Sequence, residues 1–235
     1  HGGDAMRKTY LPYAHQSISD EDIKAVVKVL KGDWITTGPY VDQFERAVCD
    51  YVGTKFGVAV NSGTSGLDIA VASLELERGE IITTPFTFAA TSNAILFNGL
   101  QPVFADIKRD TYNIDPEEIR KKVTEKTRAI IYVDYAGQPC DIEEIREIAG
   151  EHDLYLIEDA AHALGAEYSG RKVGGFAEIK VGTLPPVKHI TTGEGGMCVT
   201  NNEELAEKMR MLRNHGIDRD AKSRYGPDAT WAYDI

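Results

Sequence analysis

The sequence predicts an α/β fold with a mainly parallel central sheet and helices on both faces. Short apolar runs bounded by turn residues alternate with stretches of helical period along almost the whole chain, the order that crossover helices impose on a parallel sheet. Runs such as residues 129–133 and 154–157 are continuously apolar, as expected of strands covered on both sides. With 235 residues, 42% of them hydrophobic and 9% aromatic, the chain can build one sizeable core.

Each element has its own signal. Ser19, Asp20, Glu21 and Asp22 read as a capping box opening a helix with Ile23, Val26, Val27 and Leu30 on one face and Gly32 as its stop. Residues 33–38 form a loop, a candidate substrate wall. Pro39 then suits the first turn of a second helix whose Val41, Phe44, Val48 and Tyr51 should face inward. Residues 56–60 read as a buried strand, followed by the turn Asn61-Ser62-Gly63 and a helix from about Thr64 with Leu67, Ala70, Val71 and Leu74 at helical spacing. The unit repeats as a strand at 81–84, a turn through Pro85-Phe86-Thr87-Phe88, and a helix at 89–97 stopped by Asn98-Gly99.

A strand at 103–105 comes next, and Asp115, Pro116, Glu117 and Glu118 supply an N-cap, a first-turn proline and first-turn acids for a helix to about Val123. Residues 129–133 are a strand. Asp141 caps a helix through Ile142, Ile145, Ile148 and Ala149, and the strand at 154–157 ends in Glu158-Asp159. Ser169-Gly170 is a two-residue hairpin signal, and a strand at 196–200 precedes a helix at 203–212. No strand is assigned within residues 178–195.

Composition narrows the function. Lys plus Arg is 26 against 37 for Asp plus Glu, giving a net charge of −11. That balance argues against nucleic acid or an anionic membrane and for a small-molecule partner. Cys49, Cys140 and Cys198 are odd in number, far apart and without metal-ligand spacing, so they read as reduced thiols of a cytoplasmic protein with no metal site. No apolar run approaches the roughly 20 residues that cross a bilayer. Residues 1–5, before Met6, read as the remnant of an expression tag, leaving 6–235 as one large domain.

In open α/β sheets ligands lie outside the carboxyl ends of the strands, which gathers residues 61–65, 86–88 and 159–162 at one edge. Gly63-Thr64-Ser65-Gly66 opens a helix directly after a strand. Its free N–H groups and hydroxyls suit a phosphate, although an ordinary glycine turn capped by Thr and Ser fits equally. The segment carries no dinucleotide, P-loop or nucleophile-elbow signature. Asp159 ends an apolar strand and needs a partner, either a protonated ring nitrogen or the backbone of the segment that follows. His162 sits beside the same ligand or is satisfied by backbone, and Phe88 is core by default. Lys188 lies between Pro186 and the turn-rich residues 191–196. It is either a solvated loop lysine or an amine whose pKa is lowered from about 10.4 so that it can attack a carbonyl.

Four segments carry a family resemblance in order: Asn61-Ser62-Gly63-Thr64-Ser65-Gly66, Pro85-Phe86-Thr87-Phe88, Glu158-Asp159-Ala160-Ala161-His162, and Pro186-Val187-Lys188-His189 running through Gly193-Glu194-Gly195-Gly196. Over residues 10–235 the chain resembles the DegT/DnrJ/EryC1/StrS group of pyridoxal-phosphate-dependent sugar aminotransferases, of fold type I. The resemblance implies that Lys188 forms the Schiff base with pyridoxal 5'-phosphate and that Asp159 pairs with the pyridine nitrogen, the two being the catalytic residues. It further implies that Phe88 stacks on the ring, His162 lies near the ring hydroxyl, and the Gly63, Thr64 and Ser65 turn holds the phosphate. The acceptor implied is a nucleotide-linked keto-sugar, the donor an amino acid, usually glutamate, the assembly a homodimer, and the setting surface polysaccharide or amino-sugar biosynthesis.

The pattern departs from the family twice. Members carry an aromatic-Ser-aromatic-His run before Pro-x-Lys, where this chain has Gly182-Thr183-Leu184-Pro185; Thr183 is expected to keep the serine's phosphate contact. The chain also ends at Tyr233-Asp234-Ile235, where the family continues, so the large domain is expected without its smaller C-terminal domain. Two other readings stay open. One is a dehydratase relative, in which histidine replaces the lysine retained here, and the other is a non-catalytic binding or regulatory homologue.

Overall fold

The structure is a computed structural model and describes residues 9–217; the expected tag remnant and the chain end at 233–235 lie outside the described residues. Its seven-stranded sheet contains β1 (Phe56–Val60), β2 (Glu80–Thr83), β3 (Gln101–Phe104), β4 (Thr127–Val133), β5 (Tyr155–Asp159), β8 (Ile179–Thr183) and β9 (Gly196–Thr200). The strand order is β1-β9-β8-β5-β4-β2-β3. The pairs from β8 through β5, β4 and β2 to β3 are parallel, and β9 runs antiparallel to both its neighbours. A short hairpin, β6 (Glu167–Tyr168) and β7 (Arg171–Lys172), stands apart. Ser169 and Gly170, with φ of 49° and 74°, give it the primed turn that the sequence signals.

The helices divide between the two faces. On one side α3 (Gly63–Ala72), α4 (Ala89–Phe97) and α7 (Glu203–Arg213) cover a core containing Val58, Ile81, Ile131, Ile157, Val181 and Cys198. On the other, α5 (Pro116–Lys122) and α6 (Ile142–His152) cover Ile82, Ile130, Tyr132 and Leu156. There α2 (Pro39–Val52) packs Cys49 and Val52 on Met197 and Val199. Consecutive strand residues thus feed opposite cores, as the two-residue period of a strand requires.

Of three aspartate or serine caps expected from sequence, two form and one does not. Ser19 Oγ accepts from the Asp22 N–H, and Asp22 accepts in return from the Ser19 N–H at 2.8 Å, closing the capping box of α1 (Asp20–Leu30). Asp115 accepts from the Glu117 N–H at 3.0 Å at the start of α5. Asp141 stands at the N-cap of α6 without a capping hydrogen bond, its carboxylate instead meeting Lys108 Nζ at 2.5 Å.

Two expectations need correction. Residues 179–183 form a central strand, β8, where none was assigned. Helix α1 forms as expected, and the face carrying Ile23, Val26, Val27 and Leu30 is 40–66% exposed, with no residue of the helix buried. In α2, Phe44 and Val48 pack on the core as expected, but the buried stripe is Glu45, Cys49 and Val52, and Tyr51 is exposed. The rotation follows from Glu45, whose Oε1 accepts from the Ala59 N–H at 2.9 Å and meets Arg213 at 2.6 Å, drawing that side of the helix onto β1.

A polar cluster is buried on the α5/α6 face. Glu158 Oε2 accepts from the Tyr132 hydroxyl at 3.2 Å, Asp134 Oδ1 accepts from the Cys140 N–H at 2.9 Å, and Lys180 Nζ lies 4.0 Å from Glu158 Oε1 while donating to the Val173 carbonyl. Asp134 Oδ2 and Glu158 Oε1 find no donor among the described residues. Burial favours the protonated form of both carboxyls. Burial, and then the neighbouring Asp134 charge, push Glu158 up to about 8.

A carboxyl with a raised folded-state pKa stabilises the fold fully below its unfolded value of 4.5, and that contribution is lost as pH rises through about 8. Asp134 and Asp159 are shifted in the same sense. The melting temperature should therefore fall between about pH 5 and pH 8. Glu158→Gln, neutral throughout, should make that slope shallower; an unchanged slope contradicts the retained proton.

Candidate active site

The carboxyl ends of β1, β2, β4, β5 and β8 open into one cavity of about 390 Å³. At its base stands Asp159, the last residue of β5 and 4% exposed. Asp159 Oδ2 accepts from the Thr91 hydroxyl at 2.7 Å and Oδ1 from the Ala161 N–H at 3.2 Å. The backbone-capping role considered from sequence is therefore real, and each oxygen retains acceptor capacity for a second donor. Burial pushes the carboxyl up from its ordinary range, opposed first by the Thr91 hydrogen bond and then by the Ala161 N–H.

Lys188 lines the same cavity on the connection from β8 to β9. A turn closed by its N–H on the Pro185 carbonyl at 3.0 Å holds the backbone there. Desolvation lowers the ammonium below the usual lysine range, with the Asp159 charge acting the other way. His162 is half-buried; its Nδ1 accepts from the Ala136 N–H at 3.3 Å, so the neutral ring carries its proton on Nε2. Ala136 takes a left-handed conformation, φ 53°, in the turn at Tyr135–Gly137 that delivers this N–H. Desolvation and then the Lys188 charge lower the His162 pKa.

The N-terminus of α3 forms another wall, to which Gly63 and Thr64 belong. Gly63 is required by close approach to β8, because a Cβ there would lie 2.6 Å from Thr183 Cβ. Gly196, at the start of β9, has the same reason: its Cβ would fall 2.5 Å from the Ser62 carbonyl oxygen. Phe88, at the N-cap of α4, also lines the cavity, and its 79% exposure corrects the core default.

Of the residues singled out from sequence, Lys188, Asp159, His162, Phe88, Gly63, Thr64 and Thr183 all border the cavity. Ser65 does not. Its N–H donates to Ser62 Oγ at 3.1 Å and its hydroxyl pairs with the Ser62 hydroxyl, and Ser62 itself borders the cavity. Sequence reasoning passed over Thr91 and Tyr135 and named Thr87 and Glu194 only as members of longer segments, without a role. A threonine in the first turn of an apolar helix reads as a routine residue, and nothing local shows that Thr91 faces a carboxylate 68 residues away. Tyr135 packs on Phe86 at 4.6 Å and on His162 at 6.0 Å between ring centroids, forming an aromatic wall.

The fold of fold type I aminotransferases is the class to which this mostly parallel sheet with its covering helices belongs. The chain belongs to the DegT/DnrJ/EryC1/StrS aminotransferase family, whose model matches residues 16–233. It is 49% identical over 231 residues to an uncharacterised protein of Methanocaldococcus jannaschii, an overlap of 98% of this chain and 60% of that protein. It is 43% identical over 210 residues to the UDP-4-amino-4,6-dideoxy-N-acetyl-beta-L-altrosamine transaminase of Campylobacter jejuni, covering 88% and 56% respectively. A Streptococcus pneumoniae protein described as a sugar aminotransferase has been solved in a PMP-form, which matches with a TM-score of 0.89 at 31% identity over 96% of this chain and 62% of that one. Its PLP-form matches with a TM-score of 0.87 at 30% identity, over 97% and 61%. The chain thus spans 56–60% of the length of these curated relatives.

Gly182, where the family resemblance leads to the expectation of an aromatic residue, leaves space. A Cβ on Gly182 would find its nearest neighbour, the Met197 carbonyl oxygen, at 3.9 Å, and Gly182 borders a second, smaller void of about 40 Å³ with Phe44, Leu184 and Ile190. Gly182→Ala should stabilise the chain by about 0.5–1 kcal/mol in chemical denaturation, because a strand glycine loses more backbone entropy than alanine. A destabilised variant contradicts the open space.

Proposed function

We propose that the chain is the cofactor-binding large domain of a pyridoxal-phosphate-dependent aminotransferase that moves an amino group, from an amino acid such as glutamate, to a nucleotide-linked keto-sugar. The observation that carries the reading is the meeting of Lys188, Asp159 and the α3 N-terminus in one cavity. The likeness to the UDP-sugar transaminase of Campylobacter jejuni supports the substrate class.

The residues fit the cofactor. A cavity of about 390 Å³ is within the range of small-molecule sites. The free N–H groups at the start of α3 suit a phosphate dianion, with hydroxyls of Ser62, Thr64 and Thr183 around them. Pyridoxal phosphate, when bound, supplies an aldehyde for amine exchange and a protonated ring that withdraws electrons from the substrate carbon. Asp159 is the acceptor that keeps the proton on the ring nitrogen, a charge-assisted bond of about 1.5–3 kcal/mol. Phe88 offers an apolar face to the ring, and His162, protonated on Nε2, offers a donor to a ring oxygen. The softened amine of Lys188 reaches its nucleophilic form nearer neutral pH, and once released it accepts and returns a proton at the reacting carbon.

The same reading takes the protein as a homodimer working in the cytoplasm, with residues 6–235 as its large domain. The free, buried thiols of Cys49, Cys140 and Cys198 suit a reducing compartment, and no helix among the described residues is long and apolar enough to cross a membrane. The retained Lys188 and its lowered pKa favour transamination over dehydration or a purely regulatory role.

Incubation with pyridoxal phosphate followed by borohydride should add one cofactor mass to the peptide containing Lys188, and Lys188→Ala should take up none. Labelling spread over other lysines, or absent from the unaltered protein at saturating cofactor, defeats the assignment.

A further inference from the structure

Asp159 is gripped from behind by a chain of hydroxyls. Thr91 is fully buried in the first turn of α4; its Oγ1 lies 2.7 Å from Asp159 Oδ2 and 2.8 Å from Thr87 Oγ1. An ionised carboxylate only accepts, so the Thr91 proton points at Asp159, and Thr91 in turn accepts the proton of Thr87. The relay therefore has one polarity, from Thr87 at the cavity wall inward to Asp159. Among the described residues, the other donor to Asp159 is the Ala161 N–H, on the opposite oxygen at 3.2 Å. His162 and Lys188, across the cavity, also act against the effect of burial at Asp159.

The geometry points to Thr91 as a positioning residue that acts through Asp159 on the pyridine nitrogen of the cofactor: its hydroxyl holds the carboxylate in its ionised form and in one rotamer, so that a ring N–H meets an acceptor. This inference rests on the pyridoxal-phosphate reading above. The hydrogen bond is short, buried and charge-assisted, which is where such a bond is strongest. Without it the buried carboxyl retains a proton to higher pH, and a protonated carboxyl has lost the charge that pairs with a ring N–H. Thr87, having given its proton inward, presents acceptor lone pairs to the cavity.

Two cofactors separate this role from simple packing: pyridoxal phosphate, and its 1-deaza analogue in which CH replaces the ring nitrogen. Thr91→Val keeps the side-chain shape and removes the hydroxyl. It should weaken pyridoxal phosphate by about ten- to a hundredfold and leave the deaza analogue's affinity unchanged or raised. Thr91→Ser, which restores the donor, should recover the affinity. In the cofactor-free protein, the infrared carboxyl band lost in Asp159→Asn should titrate at higher pH in Thr91→Val than in the parent.

Equal weakening of both cofactors would make Thr91 a packing residue and overturn the inference, as would parental affinity for pyridoxal phosphate in Thr91→Val. Both results leave the aminotransferase reading standing, provided the unaltered protein captures pyridoxal phosphate at Lys188. Failure of that capture removes the reading and the inference together.

Discussion

Two adjacent carboxylates close the central strand β5, and a strand must send consecutive side chains to opposite faces of its sheet. Glu158 enters the α5/α6 core and Asp159 the α3/α4 side, both almost fully buried. An unpaired buried carboxylate costs several kcal/mol, and the two faces meet that cost differently. On the closed face Glu158 keeps its proton beside Asp134, Tyr132 and Lys180. On the open face Asp159 is held by two donors and looks into a cavity. On the function proposed above, a ligand carrying a proton on a ring nitrogen would complete what the fold leaves open there.

The rest of the sheet serves this arrangement. The pairing of β5 with β8 puts Lys180 beside Glu158 and Val181 beside Asp159. The chain then leaves β8 across the cavity mouth, carrying Lys188, and returns as the antiparallel β9. That return is possible because Gly196 and Gly63 lack side chains where β9, β8 and the start of α3 converge. The glycines of the Gly63-Thr64-Ser65-Gly66 turn are thus set by contact: a Cβ on Gly66 would lie 2.8 Å from Val181 Cγ1. The same closeness brings the helix N–H groups and Thr183 to one wall.

Elements with strong local signals were readable from the sequence. The capping box at Ser19, the Asp115-Pro116 start of α5, the Ser169-Gly170 turn and the uninterrupted apolar strands β4 and β5 all stand where the sequence puts them. Strand β8 was not readable, because Ile179-Lys180-Val181-Gly182-Thr183 mixes a lysine and a glycine into a central strand. Lys180 is tolerated only through Glu158 and the Val173 carbonyl, partners that the sequence does not announce. The inward face of α2 was only partly readable for a related reason: Phe44 and Val48 pack on the core, but the Glu45 carboxylate is buried by its tie to β1 and Arg213. In the site, the sequence singled out Lys188 and Asp159, which the fold brings to one cavity, whereas Thr91 and Ser62 make contacts that only the fold creates.

The central claim is that the charge on Asp159, rather than its shape, serves the reaction. Asp159→Asn tests it directly, because the amide keeps the size, removes the charge and spares the fold the burial of a carboxylate. In the complete enzyme, single-turnover amine transfer should slow by about a hundredfold or more while the melting temperature holds or rises. An Asp159→Asn enzyme that turns over at the parental rate would contradict the account.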